Sequence, residues 1–328
     1  MDYIKQAEST QLSSLSLSRL EGNNAEESKR LLEACAQDGF FYLDLRDHKQ
    51  LLVDYEALLE IIKQYFNEPL DQKMKDDRKS DTIGYEPVAT SAGVLDGLPD
   101  YYESFKVSWN QLRDHVQELP TVVETNIEVF DRFAKYVHSI LLMILSRLSQ
   151  TMGRNNDNRF ESYHRDSIAT RTNLTFLKYP KQDTTEHGVG HNKHTDVGTL
   201  TFLLSGQRGL QRLTPEGWCH VEPRSGFAVV NVGDSLRFLS DCVLSSVIHR
   251  VLPVGAHQTE DRYTLAYFLR PEDDAVFKDI NGNLVSARSW HDRKFDHFRA
   301  SHNQQKNDTI LMGGMEENQK FLQYKFQA

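Results

Sequence analysis

The sequence has few cysteines and no long apolar run, and these two absences exclude several classes of protein. Only three of the 328 residues are cysteine, Cys35, Cys219 and Cys242, and none forms a Cys-x-x-Cys pair. A disulfide-stapled secreted fold is therefore not expected. The longest apolar stretch, Ile140 to Leu145, is far shorter than the ~20 residues that a bilayer requires. The first residues also lack the features of a signal peptide, so we expect a cytoplasmic protein.

Basic residues are fewer than acidic residues in this chain. The chain has 38 Lys and Arg against 47 Asp and Glu, a formal net charge of -9. This balance argues against a nucleic-acid-binding protein and against a protein of the membrane surface. Hydrophobic residues make up 39% of the chain, enough for a core in one large domain or two ordinary ones. A small molecule is then the expected partner, and no obligate protein partner is evident.

Apolar periodicity divides the chain into three regions. Residues 1–153 are mainly helical, with long amphipathic helices near residues 51–66 and 123–148 and one early strand at Phe40 to Leu43. Residues 154–275 contain short, evenly spaced strands, which favour a sandwich or a barrel. Residues 276–328 are charged and compatible with helix. The glycine- and proline-punctuated stretch 71–120 is predicted to be a long irregular segment, and a lid is one role for it.

A strand-associated His-x-Asp motif is the first candidate for chemistry. Two imidazoles and one carboxylate on one face of a metal leave its other positions open, as in non-haem iron sites. Two of these ligands can lie at positions i and i+2 of a strand. Of the candidates, His164-Arg-Asp166 lies in a polar turn-rich stretch and His220-Val-Glu222 is followed by Pro223. His194-Thr-Asp196, in contrast, leads into the apolar run 197–204.

The third ligand must come from a distant strand, and His249 is the candidate. It lies 53 residues after Asp196, inside the apolar run Leu244 to Leu252. A satisfied core histidine is the alternative interpretation of this residue. Thirteen residues later, Arg262-Tyr-Thr264 opens a further strand, where a buried guanidinium requires an anion. A dicarboxylate co-substrate would supply that anion, and a protein carboxylate paired with Arg262 is the alternative.

Taken together and in order, these motifs resemble the isopenicillin N synthase-like group of iron(II)/2-oxoglutarate-dependent dioxygenases. The resemblance extends over roughly residues 27 to 300 and includes Gly209-Leu-Gln211, Val230-Asn-Val-Gly-Asp234 and Gly39-Phe-Phe-Tyr-Leu43. Trp290-His-Asp-Arg-Lys-Phe is similar to the tail of fungal members, which suggests secondary metabolism. The resemblance implies an α+β fold, in which a double-stranded β-helix (jelly-roll) core is braced by N-terminal and C-terminal helices. The three regions would then form one catalytic unit.

The resemblance also implies a set of site residues. The iron(II) ligands would be His194, Asp196 and His249. The residues binding 2-oxoglutarate would be Arg262, Thr264 and Tyr179. Many plant members have an asparagine where this chain has Leu177, so that contact is absent here, whereas Thr264 keeps the hydroxyl of the more common serine.

Strand alternation extends the site to a substrate pocket. Its predicted lining residues are Asn173, Thr175, Leu177 and Phe268. Such a wall is mixed and mainly apolar, and suits a small aromatic, polyketide or terpenoid metabolite. With iron(II), 2-oxoglutarate and O2, the enzyme would oxidise an unactivated or benzylic C–H bond and release succinate and CO2. Hydroxylation is the default outcome, and desaturation, cyclisation and ring expansion remain open.

Three other interpretations remain at this point. An iron oxidase of the same fold could work without 2-oxoglutarate, and could use Arg262 and Thr264 for a substrate carboxylate. A jelly-roll protein could bind ligand without catalysis. A zinc cluster of His187, His191 and His194 is disfavoured by the loop-forming glycines between them. The tail histidines His291 and His297 are expected to be solvated.

Overall fold

Helices dominate the first half of the chain and strands the second. The computed structural model describes residues 9–114, 119–184, 188–255 and 257–314. The α-helices in this part of the chain are α1 Leu17–Glu21, α2 Ala25–Gln37, α3 Lys49–Phe66, α4 Leu70–Lys73, α5 Trp109–Asp114, α6 Thr121–Thr125, α7 Ile127–Thr151, α8 Asp234–Leu239, α9 Ala287–Arg299 and α10 His302–Gln305. No helix among these residues is both long and apolar enough to cross a membrane.

The strands form two main sheets and one hairpin. The strands are β1 Ser14–Ser16, β2 Phe40–Asp44, β3 Gly84–Glu86, β4 Glu103–Ser108, β5 Asn173–Tyr179, β6 His191–His194, β7 Leu200–Leu204, β8 Leu210–Thr214, β9 Gly217–His220, β10 Phe227–Val232, β11 His249–Val251, β12 Arg262–Leu269, β13 Val276–Lys278 and β14 Leu284–Ser286. The major sheet has the order β1-β2-β10-β7-β12-β5-β4-β3, and the minor sheet has the order β6-β11-β8-β9. Apart from the parallel pair β1–β2, the pairs in both sheets are antiparallel.

Each central strand of the major sheet is buried on both faces, which explains why it has an almost continuously apolar sequence. On β12, Leu265 and Tyr267 pack into the core shared with the helices, whereas Ala266 packs into a second core with residues of the minor sheet. This second core fills the space between the two sheets. The result is the jelly roll that the resemblance implies, with helices covering the outer face of the major sheet.

Helix α7 is the main support of that outer face. Its Phe130 ring lies 5.8 Å from the Phe176 ring of β5, and His138 Nδ1 lies 2.8 Å from the Tyr267 hydroxyl of β12. Helices α2 and α3 in turn pack against α7. The helical first half therefore holds the outer face of the strands whose inner face carries the predicted site.

The stretch 71–120 differs from the irregular segment that its composition predicts. It contributes β3 and β4 to the edge of the major sheet, and every residue of β4 is buried. The sequence Glu103-Ser-Phe-Lys-Val-Ser108 alternates polar and apolar residues, but its polar residues form buried pairs: Lys73 with Glu103, and Lys106 with Glu86. Because these charged residues are paired, β4 is buried even though its sequence looks like that of a solvent-exposed strand.

Candidate active site

Three predicted side chains converge at the mouth of the jelly roll. His194 ends β6, His249 begins β11, and these two residues are direct cross-strand partners. The Nε2 atoms of both rings lie 3.6 Å from Oδ1 of Asp196. One ligand atom from each residue lies within 4.8 Å of the others, and all three side chains are buried. This arrangement can hold a metal ion.

Backbone carbonyls orient both imidazoles. Nδ1 of His194 lies 2.7 Å from the Asn192 carbonyl oxygen, and Nδ1 of His249 lies 3.0 Å from that of Val247. Because a carbonyl oxygen only accepts, each Nδ1 carries the proton and each Nε2 presents its lone pair to the centre. Burial, together with the neighbouring His194, lowers the pKa of His249 to about 4, which keeps it in the neutral form that binds metals.

Asp196 is held by two donors on the opposite side from the histidines. Its Oδ2 accepts hydrogen bonds from Thr201 Oγ1 at 2.7 Å and Asn231 Nδ2 at 2.6 Å. Burial alone would raise the pKa of Asp196, but the His249 and His194 rings and the Asn231 amide outweigh burial and hold it well below its ordinary value. The carboxylate is thus ionised, with Oδ1 left to face the histidines.

The local backbone departs from prediction at this point. Instead of lying in a continuous strand, Asp196 follows the end of β6 in the turn before β7. The backbone is closely packed just after this residue. A Cβ on Gly198 would lie 2.2 Å from the Leu269 carbonyl oxygen, so a larger residue would collide with it. Since β6 and β7 belong to different sheets, this turn carries the chain from one sheet to the other.

A buried ion pair holds the middle residue of the motif. Nζ of Lys294, from α9, lies 2.6 Å from Thr195 Oγ1 and also contacts the Asp234 carboxylate. Thr195 Oγ1 donates to Asp234 at 3.0 Å, as does Ser246 Oγ. Lys294 and Asp234 are completely buried. Helix α9 thus holds the side chain of Thr195, the residue between two candidate metal ligands.

Arg262 occupies the start of β12, on the inner face of the jelly roll. It is 2% exposed, and its Nε donates to the Arg208 carbonyl at 2.9 Å. Its Nη1 and the nearby Thr264 Oγ1 are both buried without a hydrogen-bond partner. Among the described residues no carboxylate pairs with Arg262, which disfavours the alternative of a protein counter-ion. The site is therefore suited to an anion with oxygen acceptors.

Neighbouring residues complete this anion pocket. The Arg262 guanidinium lies 4.9 Å from the centroid of the Tyr179 ring, and Tyr179 is its cross-strand partner. Burial raises the pKa of Tyr179 to about 12, against the opposing charge of Arg262. A Cβ on Gly209 would lie 2.9 Å from Arg262 Nε, and Gly209 has a φ of +141°. Glycine at this position gives the guanidinium its space.

The predicted pocket residues lie along paired strands. Leu177 is opposite Thr264 in the β5–β12 pair, Thr175 is opposite Ala266, and Asn173 is opposite Phe268. Asn173, Thr175, Leu177 and Phe268 all line a cavity that also touches His194 and Asp196. The structure thus brings together the residues that strand alternation predicts.

The cavity is more charged than these strand faces alone predict. Its additional charged lining residues are Asp81, Glu86, Lys106, Arg270 and Arg299. Four of them come from outside the predicted strands, from the 71–120 stretch and α9. The predicted wall was therefore incomplete, because the prediction considered β5 and β12 and left out the 71–120 stretch and α9.

Comparison with known proteins identifies the class of this fold and site. The model of the 2OG-Fe(II) oxygenase superfamily matches residues 166–271, and that of the N-terminal region of non-haem dioxygenases in morphine synthesis matches residues 12–124. The 2-oxoglutarate-dependent dioxygenase frbH of Dothideomycetidae sp. is 48% identical over 94% of this chain and 96% of its own. The oxidoreductase vrtI of Penicillium aethiopicum is 49% identical over 93% of this chain and 75% of its own.

A solved structure agrees on the fold. A full-length Neurospora crassa protein, crystallised in complex with alpha-KG, superposes with a TM-score of 0.70 at 21% identity, over 86% of this chain and 95% of its own. The chain belongs to the 2OG-Fe(II) oxygenase superfamily and is a 2-oxoglutarate-dependent dioxygenase. Its cofactors are iron(II) and 2-oxoglutarate, with O2 as co-substrate. The two-imidazole, one-carboxylate set and the unpartnered Arg262 and Thr264 atoms fit these groups.

The structure also bears on two predictions about histidines outside the His194, Asp196 and His249 cluster. His291, expected to be solvated, is 1% exposed and stacks on Phe295 with ring centroids 4.3 Å apart. The prediction was wrong because His291 lies on the face of α9 that packs inward. His187 of the disfavoured zinc cluster lies outside the described residues, and the His191 ring stacks on His194, 4.4 Å away between centroids.

Several residues of the site were missed from sequence. Asn231 was noted only as part of a motif, although an amide at a buried position of an apolar strand is itself a signal for a specific partner. Lys294 and Lys106 gave no signal, because their partners Asp234 and Glu86 are 60 and 20 residues away. Arg270 did give one: alternation from Arg262 places it on the inner face of β12.

Proposed function

We propose that the protein oxidises a C–H bond of a small metabolite with iron(II) held by His194, Asp196 and His249. The far carboxylate of 2-oxoglutarate is bound by Arg262 and Thr264, with Tyr179 packed beneath the guanidinium. Two observations carry this proposal: Arg262 Nη1 and Thr264 Oγ1 are buried without a hydrogen-bond partner, and the same fold brings two imidazoles and a carboxylate together. When bound, iron(II) and 2-oxoglutarate supply the oxidation of the substrate by O2, with release of succinate and CO2.

The protein's own residues orient the metal ligands and bind the carboxylate of the co-substrate. The carbonyls of Asn192 and Val247 keep the two imidazoles neutral and aimed. Thr201 and Asn231 hold one oxygen of Asp196, so that its other oxygen stays directed at the centre. Burial strengthens the electrostatic attraction between Arg262 and a bound carboxylate. Most of the specificity for 2-oxoglutarate therefore comes from the inner face of β12 and β5.

The substrate is proposed to occupy the cavity formed by Asn173, Thr175, Leu177 and Phe268. Hydroxylation is the default reaction, and desaturation or ring formation would use the same arrangement. The similarity to fungal dioxygenases supports a role in secondary metabolism. We also propose that residues 1–153, 154–275 and 276–328 act as one catalytic unit in a reducing cytosol, consistent with three free cysteines.

The test is anaerobic addition of iron(II) and then 2-oxoglutarate to the purified protein. We expect a visible metal-to-ligand charge-transfer band that depends on both additions. The band should be lost in His249→Ala and kept in His220→Ala, a histidine of the same minor sheet that lies outside the cluster. In Arg262→Gln the band should require about 10- to 100-fold more 2-oxoglutarate, because a charge-assisted pair is removed.

Turnover distinguishes this function from its rivals. Succinate should form in step with oxidised product once a substrate is found. Product formation without 2-oxoglutarate would instead indicate an iron oxidase. Absence of the band in the wild-type protein, with iron bound, would contradict the assignment of Arg262 and Thr264.

A further inference from the structure

Arg270 is a buried cation in the active-site cavity that the dioxygenase reaction itself does not use. It follows β12 directly, lines the cavity with His194 and Asp196, and is 6% exposed. Its Nη1 donates to the Arg171 carbonyl, and its Nε is buried without a hydrogen-bond partner. The carbonyl satisfies one donor but does not neutralise the charge. Burying a guanidinium without a counter-ion is costly.

The other charged groups of the cavity already have partners. Lys106 Nζ lies 2.6 Å from Glu86 Oε2, and Arg299 pairs with Asp81. Asp196 faces the two histidines. Its negative charge is attracted to Arg270 in the metal-free protein, but iron(II) takes up that charge when it binds. Among the described residues that line the cavity, Arg270 is then the cation without a counter-charge.

Bound 2-oxoglutarate cannot supply that counter-charge. Arg262 begins β12 and Arg270 directly follows its end, eight residues later, which corresponds to roughly 26 Å along an extended chain. The five-carbon diacid is much shorter than this separation. If its far carboxylate pairs with Arg262, Arg270 remains free for a different molecule.

We infer that Arg270 binds an anionic group of the primary substrate, which makes the substrate class a small organic acid with a carboxylate. This inference rests on the proposed function and narrows its substrate. The aromatic groups around Arg270 extend the argument. Its guanidinium lies 5.2 Å from the Phe268 ring centroid and 5.8 Å from that of Phe295.

A further aromatic ring, that of Phe298, connects these rings to the predicted metal ligand His194. The centroid of Phe298 is 5.6 Å from that of Phe295 and 5.3 Å from that of His194. An apolar wall therefore runs from the cation to the predicted metal site. A substrate with an acid at one end and an aromatic or unsaturated body fits this wall, and the fixed acid would direct one C–H bond towards the centre.

The test compares carboxylic acids with their primary amides, which have nearly the same shape but no charge. The probes are benzoate, phenylacetate, 3-phenylpropanoate, cinnamate and sorbate, each beside its amide. The protein is held anaerobically with iron(II) and saturating 2-oxoglutarate, so that Arg262 is already engaged. Binding is followed by calorimetry and by perturbation of the charge-transfer band.

We expect at least one acid to bind the wild-type protein about 10- to 100-fold more tightly than its amide. In Arg270→Gln that acid should lose the same factor, whereas the amide should change less than about twofold. Arg270→Lys should recover part of the affinity, because it keeps the charge and loses the planar fork. Thermal unfolding and the retained 2-oxoglutarate band show that each variant is folded.

Other results would overturn the inference. It fails if no acid binds the wild-type protein more tightly than its amide, or if Arg270→Gln binds acids as well as the wild type. These failures leave the 2-oxoglutarate band of the wild-type protein intact. Loss of that band in the wild type would be a failure of the proposed function instead.

Discussion

The pair formed by Lys294 and Asp234 leads to a quantitative prediction about stability. Both residues are completely buried, and they link α9 to the side-chain hydroxyl of Thr195, between His194 and Asp196. In Lys294→Met the methionine fills much of the same volume, but the Asp234 carboxylate loses the lysine and keeps the Thr195 and Ser246 hydroxyls as partners. Breaking a buried pair in this way costs about 3–5 kcal/mol of the free energy of unfolding.

Urea unfolding of the metal-free protein measures this cost. The double variant Lys294→Met, Asp234→Asn removes both charges and should recover at least half of the loss. Lys278→Met, at an exposed position of β13, is the control and should change stability by less than about 0.5 kcal/mol.

Two results would refute the reasoning. A loss below about 1 kcal/mol for Lys294→Met, with an unchanged dependence on urea, would mean that the pair is not essential to the packing of α9. A double variant less stable than the single one would mean that the hydroxyl contacts, rather than the charges, dominate.

Three further variants test other contacts of the site. Asn231→Ala removes a donor to Asp196, and iron affinity measured by chelator competition should fall about 10- to 100-fold, whereas unchanged affinity would exclude a positioning role. Gly209→Ala places a Cβ 2.9 Å from Arg262 Nε, so the 2-oxoglutarate Kd from titration of the band should rise at least about fivefold; an unchanged Kd would show that the guanidinium has room to move. Burial, with the charge of Glu86 adding, raises the pKa of Asp100 to about 8, so its favourable contribution is complete below pH ~4 and lost as the pH rises towards 8. Asp100→Asn should therefore gain stability relative to wild type across that range, by at most about 5 kcal/mol in urea unfolding, and a constant difference would contradict the shift.

Local patterns predicted most of the fold that positions the site. The long helices α3 and α7 have a clear 3.6-residue periodicity, and β5, β7, β10 and β12 are rich in apolar residues, so these helices and strands could be predicted from the sequence. The short strand β1 and the strands β3 and β4 could not. The polar residues of β4 are satisfied by Lys73 and Glu86, and no local pattern reveals a partner that lies elsewhere in the chain.

The candidate site shows the same division. The convergence of His194, Asp196 and His249 was predictable from the order of the motifs, although Asp196 lies after β6 rather than within a strand. Lys294 was not, because its partner Asp234 is distant in sequence and only the folded chain brings them together. The charged residues that the 71–120 stretch and α9 add to the cavity were missed for the same reason.

The strand β12 explains why the helical half matters for chemistry that it does not contact. Its inner residues are Arg262, Thr264 and Phe268, and its outer residues, such as Tyr267, pack against α7. Because side chains alternate along a strand, a slip of one residue would move the inner set to the helical side. The hydrogen bond between His138 and Tyr267 and the apolar packing around it therefore fix the register of the strand. Through that register, the helices determine which face of β12 carries Arg262 and Thr264.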